Sequence, residues 1–168
     1  MSQEPDSRQS PPPQPPKIRP PRILPPVGCL LALGLIWGLH RLLPYGPTFL
    51  DHPAAETITR GLAVLGLALT ISGIGLFHRA GTGIKPFSEA RHLVTGGPYR
   101  LTRNPMYLGM VLILLGAFVK SGTLAGLLVP IAFALWIDRA YIRREEAFLE
   151  QHLGAPYLAY KDRVRRWL

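Results

Sequence analysis

The chain has 168 residues, nearly half of them hydrophobic, and a formal net charge of +9. The length suits one domain, and a single cysteine, Cys29, excludes an internal disulfide framework. The apolar residues stand in long blocks with the charges between them, which excludes a soluble domain mixing both at helical or strand period and points to a bilayer, where a central charge costs several kcal/mol.

Residues 1–26 hold ten of the eighteen prolines and the basic residues Arg8, Lys17, Arg19 and Arg22. This composition cannot build a core and predicts a disordered, polyproline-like tail held near an anionic surface. The first apolar block predicts a helix over about 27–43, opened by Cys29 as a small buried hydrophobe. Pro44, Pro47 and Pro53, with Asp51 and Glu56, mark a short turn. A second block predicts a helix over 58–78, rich in glycines such as Gly66, Gly73 and Gly75 that permit close packing in lipid.

The third apolar stretch is broken by Lys120-Ser121-Gly122. One unbroken helix there would be too long for one crossing, so the pattern predicts a tight hairpin of helices 105–119 and 123–137. Residues 138–168 are charged and amphipathic. Leu153-Gly154 reads as a helix stop and Pro156 as the first turn of another, giving a pair of helices on the membrane surface or on the rest of the protein.

The expected fold is therefore an all-α integral membrane bundle of about four transmembrane helices including a tight helical hairpin, with C-terminal amphipathic cytoplasmic helices. Residues 1–26 are set apart as the basic tail and 27–168 as the membrane domain. Four basic residues lie in the tail, five in the 79–104 loop (Arg79, Lys85, Arg91, Arg100 and Arg103), seven in 138–168 and none in 44–57. By the positive-inside rule, both termini and the long loop are cytoplasmic. The basic residues flank apolar blocks, which assigns them to membrane lipids and excludes nucleic acid as a partner.

Two polar stretches fall on that same side. The first runs from His92-Leu93-Val94 through Gly96-Gly97-Pro98-Tyr99 to Arg103-Asn104-Pro105-Met106-Tyr107. It combines a glycine turn, an arginine suited to bidentate pairing and a proline at the start of a helix, whose free N–H groups attract an anion. The second, Arg143-Arg144-Glu145-Glu146, follows a membrane helix and offers paired carboxylates to a cation. Taken singly, each stretch also reads as interface anchors or a solvated helix face.

Taken in order, Gly-Pro-Tyr, Arg103-Asn104-Pro105-x-Tyr107, a helical hairpin, Arg144-Glu145-Glu146-x-x-Leu149, Gly154-x-x-Tyr157-x-x-Tyr160 and a terminal Arg-rich turn resemble the isoprenylcysteine carboxyl methyltransferase family, to which the phospholipid methyltransferases are related. The resemblance covers about 92–168. It implies a multi-pass membrane enzyme that binds S-adenosylmethionine at the cytoplasmic edge and methylates a lipid-like or prenylated acceptor. By motif match, the cofactor site comprises His92, Leu93, Val94, Gly97, Tyr99, Arg103, Asn104, Pro105, Tyr107, Glu145 and Glu146, with no metal. Arg103, Glu146 and Arg143 are the candidate catalytic groups, the arginines for a carboxylate acceptor. Asn104 stands where the family usually has histidine. The bacterial inner membrane is the expected location. The competing readings are a phospholipid or small-lipid N-methyltransferase and a non-enzymatic membrane scaffold. Sterol-reductase-like proteins share a related bundle, but no residue here favours their NADPH.

Overall fold

The computed structural model describes residues 23–43, 53–80 and 93–168. The described residues form six α-helices: α1 (Pro25–Leu42), α2 (Pro53–Arg79), α3 (Pro105–Ser121), α4 (Leu128–Ile137), α5 (Arg143–Leu153) and α6 (Ala155–Arg163). Short 3-10 turns at Gly97–Arg100 and Leu124–Leu127, and a wide π-helical turn at Asp138–Ile142, join them. No strand occurs among the described residues. Pro25, Pro53 and Pro105 each stand in the first turn of a helix, where a missing N–H costs nothing.

Three helical stretches are long and apolar enough to cross a membrane: 25–42, 53–79 and the continuous rod 124–153. Helix α3 is apolar but shorter, at 17 residues. Leu30, Leu31 and Leu35 on α1, and Val64, Leu67 and Ile71 on α2, lie more than half exposed. Such a ring of leucine and valine is costly in water and stable against lipid tails.

The core lies between α1, α3 and α4. Ile36, Leu114, Phe133 and Ile137 pack there with Tyr141 and Ile142 of the wide turn, and Cys29 is buried among them as its size suggests. Helices α2 and α3 meet through glycine. A Cβ on Gly66 would stand 2.5 Å from the Gly109 carbonyl oxygen, and one on Gly109 would strike Gly66 and Thr70. The missing side chains let the two backbones touch, which replaces a hydrophobic driving force that lipid cannot supply. Thr70 then returns its hydroxyl to the Gly66 carbonyl at 2.9 Å.

The hairpin turns at Gly122 and Thr123, with the Thr123 hydroxyl donating to the Leu43 carbonyl. Several boundaries differ from expectation. Helix α2 begins at Pro53 rather than 58 and takes Glu56 out of the expected turn, and α3 runs on to Ser121 rather than 119. The first helix begins at Pro25, and Ile23 ahead of it is already engaged: its carbonyl accepts a hydrogen bond from the buried Tyr141 hydroxyl. The helix after the hairpin does not stop at Ile137 but continues, beyond the apolar stretch, through the wide turn into α5. Composition marks where apolar character stops, but backbone hydrogen bonding carries a helix past that point.

Candidate active site

A cavity opens where the 93–107 segment meets α5 and α6. Its walls are Phe77, Leu93, Val94, Tyr99, Arg103, Asn104, Met106, Tyr107, Glu145, Glu146, Leu149, Tyr157 and Tyr160. The two polar stretches thus come together, although 37 residues of chain separate Tyr107 from Glu145.

The two glutamates divide their tasks. Glu146 is 5% exposed. Its Oε1 accepts from Arg103 Nη2 at 2.8 Å and Arg166 Nε at 3.1 Å, and its Oε2 from Arg166 Nη2 at 2.6 Å. Burial alone would raise its carboxyl, but the hydrogen bonds from Arg166 and Arg103 outweigh burial and hold it below the usual carboxylate range. Glu145 instead accepts from the Tyr107 hydroxyl at 2.9 Å, and its other oxygen has no hydrogen bond among the described residues. Burial pushes its carboxyl up to about 7. The Tyr107 bond opposes this and the neighbouring Glu146 charge adds to it.

Arg103 is almost fully committed. Besides Glu146, its Nη1 donates to the carbonyls of Lys161 at 3.0 Å and Val164 at 2.5 Å. Tyr160 donates to the Tyr99 carbonyl at 2.7 Å and so ties α6 to the 97–100 turn. The Tyr99 hydroxyl is buried without a hydrogen-bond partner among the described residues, and burial raises its pKa well above the ordinary phenol value. A buried unpaired hydroxyl costs about 1–3 kcal/mol unless a ligand satisfies it.

The remaining candidates are distributed unevenly. Leu93, Val94, Tyr99, Asn104 and Tyr107 line the cavity. Gly97 and Pro105 do not. Gly97 has φ of 57° and approaches Leu76 of α2, so its freedom serves the turn. Pro105 is the buried first residue of α3. Arg143 also lies outside the cavity walls: its side chain is 61% exposed and pairs with Asp138 at 2.8 Å. Two residues before Glu145, it points about 200° around the helix. His92 lies outside the described residues.

Asn104 donates its side-chain amide to the Arg166 carbonyl at 3.0 Å. Asn104→His retains a donor there and is expected to be tolerated. Asn104→Leu removes one of two donors to that carbonyl, leaving the Thr102 hydroxyl at 3.0 Å, and is expected to weaken binding of S-adenosylhomocysteine and lower thermal stability by about 0.5–1.5 kcal/mol; calorimetric titration and melting of both variants check this.

Arg166 and Asp138 escaped the sequence reading. Arg166 lay in the Arg-rich turn without a role, and only its position in space separates it from Arg163 and Arg165. Asp138, the first charge after α4, accepts from Arg166 Nη1 at 3.1 Å.

The model of the family described as phospholipid methyltransferase matches residues 55–155, which include most of α2, the 97–107 segment and all of α5 with both paired glutamates. The chain belongs to the phospholipid methyltransferase family. The match covers more than half of the chain and spans both faces of the cavity. An uncharacterised protein of Haemophilus influenzae is 44% identical over 63 residues, 38% of this chain and 100% of that protein. Protein-S-isoprenylcysteine O-methyltransferase A of Arabidopsis thaliana is 37% identical over 81 residues, 46% of this chain and 40% of the plant protein. The match to that relative therefore spans well under half its length. Phosphatidyl-N-methylethanolamine N-methyltransferase of Saccharomyces cerevisiae is 29% identical over 151 residues, 83% of this chain and 70% of the yeast protein. No solved structure matches the chain.

Proposed function

We propose that this family member is an S-adenosylmethionine-dependent methyltransferase acting on a lipid-like or prenylated acceptor at the cytoplasmic face of a membrane, with the chain from Ile23 onward as its catalytic domain and the residues before it as a basic tail. The observation that carries the reading is Glu145: a half-buried carboxylate with one oxygen unpaired among the described residues, in a cavity walled by tyrosines, at the end of helices that suit lipid. A sulfonium cation fits aromatic faces. A ribose or amino group fits Glu145, and the unpartnered Tyr99 hydroxyl supplies a further polar contact. The described walls enclose about 100 Å³, below the roughly 300–1,000 Å³ of pockets that bury drug-sized ligands. They therefore form one part of the binding surface.

When bound, S-adenosylmethionine supplies a methyl group on a positively charged sulfur. The residues of the chain have to orient the acceptor and keep water away, since displacement of this kind needs mostly positioning. Leu93, Val94, Met106 and Leu149 provide the apolar wall for exclusion.

The acceptor has two readings. A carboxylate acceptor, one chemistry open to an O-methyltransferase such as the Arabidopsis relative's name prints, requires a free cation. Arg103 has four of its five N–H donors already engaged. An amine acceptor, as in the name of the yeast relative, has to lose a proton, and Glu145 at about 7 is poised to take one. The committed state of Arg103 favours the amine.

The test is thermal melting of the purified full-length protein. S-adenosylmethionine or S-adenosylhomocysteine at 100 times its dissociation constant is expected to stabilise it by about 2.7 kcal/mol. No stabilisation by either compound would refute the reading. Methyl-labelled cofactor added to membranes then separates the acceptors by whether label appears as a base-labile ester or in a lipid amine.

Orientation belongs to the same proposal. With the bacterial inner membrane as its site and both termini cytoplasmic, reporters inserted near Lys85 and after Leu168 are expected to report cytoplasm, and one near Asp51 the opposite side. The basic asymmetry supports this. Matching reports from Lys85 and Asp51, positions outside the described residues, would overturn it.

A further inference from the structure

The chain leaves α6 at Val164 in extended conformation and returns across the site. Its backbone is laced to the segment ahead of α3. The Arg103 amide donates to the Arg165 carbonyl at 2.9 Å, and the Thr102 hydroxyl and Asn104 amide both donate to the Arg166 carbonyl at 3.0 Å. This fixes the Arg166 backbone beside the cavity. Its guanidinium then reaches two acids eight residues apart, Glu146 on α5 and Asp138 at the start of the wide turn.

That bridge spans a weak point. A π-helical turn has looser hydrogen-bond geometry than the α-helices around it, and such turns occur mostly as single insertions at functional sites. The turn sets how far α5 is rotated relative to α4. Successive residues on a helix point about 100° apart, so this rotation decides which glutamate offers a free oxygen to the cavity. Both Glu146 oxygens are held by arginine, while Glu145 keeps one unpaired among the described residues.

We propose that Arg166 is a positioning residue of the methyl-transfer site: by clamping Glu146 to Arg103 and tying α5 to Asp138, it presents Glu145 to the cofactor. The inference rests on the methyltransferase reading above. Arg166 touches neither cofactor nor acceptor in this role and acts through the two acids.

The charges give a signature that a merely structural residue lacks. Facing Glu145 are Tyr107 on α3, Tyr99 on the 97–100 turn and Tyr141 on the wide turn, with Glu146 beside it on α5. Arg103, Tyr157 and Tyr160 complete the surroundings of Glu146 on the cavity side. The phenols keep their protons near neutrality, where an ordinary tyrosine titrates near 10. Loss of Arg166 leaves the Glu146 charge half-compensated. That charge then raises the proton affinity of Glu145 further, so binding that needs ionised Glu145 moves to higher pH.

The experiment is calorimetric titration of S-adenosylhomocysteine into the purified full-length protein from about pH 6 to about pH 9, with melting temperature measured alongside, for wild type, Arg166→Gln, Arg166→Lys and Asp138→Asn. Wild-type affinity is expected to rise with pH through about 7. Arg166→Gln is expected to move that midpoint up by about one unit and to weaken binding at about pH 7 about fivefold. Arg166→Lys keeps a charge but cannot fork across two acids, and is expected to restore most of the midpoint. Asp138→Asn removes only the second anchor and guards against Arg166→Gln failing to fold; a smaller shift in the same direction is expected. An unchanged midpoint in Asp138→Asn, or a folded Arg166→Gln with wild-type midpoint and affinity, overturns the proposal. Wild-type protein that binds no S-adenosylhomocysteine at any pH refutes the methyltransferase reading itself, a separate and recognisable result.

Discussion

Glu146→Gln is expected to destabilise the folded protein by about 3–5 kcal/mol, the usual cost of removing one partner from a buried ion pair. The Arg103 and Glu146 side chains are 9% and 7% exposed. Glutamine keeps the shape of the side chain but removes the charge that two guanidinium groups face. Arg103 would then sit buried with only uncharged acceptors, and Arg166 with Asp138 as its remaining anion among the described residues. Melting in detergent measures the loss, and the cycle of Glu146→Gln, Arg103→Gln and the double variant measures the coupling. A sum of single effects equal to the double effect would show that the pair is not energetically real. The pH dependence has a definite sign. A carboxyl held below its ordinary value of 4.5 contributes stability above that value and loses it as pH falls through the depressed one. Glu146→Gln is therefore expected to flatten the acid limb of the melting curve.

This outcome sharpens what the paired glutamates offered in the sequence. Their adjacency, and the resemblance around them, placed both near a cofactor. The structure pairs Glu146 with Arg103 and Arg166, 43 and 20 residues away in sequence. Local pattern cannot reach such partners, because they depend on how the chain after α6 folds back. Rotation of α5 was equally invisible: the wide turn at Asp138–Ile142 has no proline or glycine to announce it.

The bundle was more legible, for a physical reason. A bilayer forces apolar residues into blocks, so the blocks at α1, α2 and the hairpin were readable from composition alone. Gly66 was legible as a packing residue. Its partner Gly109 was not, since register between two helices is a property of both surfaces together. Arg103 was legible as part of the site but not as a clamp, because its carbonyl partners, Lys161 and Val164, carry no side-chain signal.

Glu145→Gln is expected to have the opposite profile to its neighbour: a fold left intact and methyl transfer nearly abolished. Glutamine can still accept the Tyr107 hydrogen bond through its amide oxygen, so the contact at 2.9 Å has a replacement. Stability is expected to improve at neutral and higher pH. The folded carboxyl is raised to about 7 from an ordinary value of 4.5, so the unfolded state ionises first. A raised acid stabilises most below 4.5 and loses that contribution as pH rises through 7. An uncharged glutamine removes the loss. Binding is where the variant should fail. A carboxylate contact to a charged or polar cofactor group, lost in a desolvated cavity, costs roughly 2–5 kcal/mol. Calorimetric titration of S-adenosylhomocysteine, melting across pH and transfer of labelled methyl separate these effects. Binding within about threefold of wild type, under about 1 kcal/mol and typical of an exposed charge, would remove Glu145 from the cofactor site. Lost binding together with lost melting would assign it to the fold instead. Lost binding with equal or higher melting above pH 7 is the result that the free oxygen of Glu145 calls for.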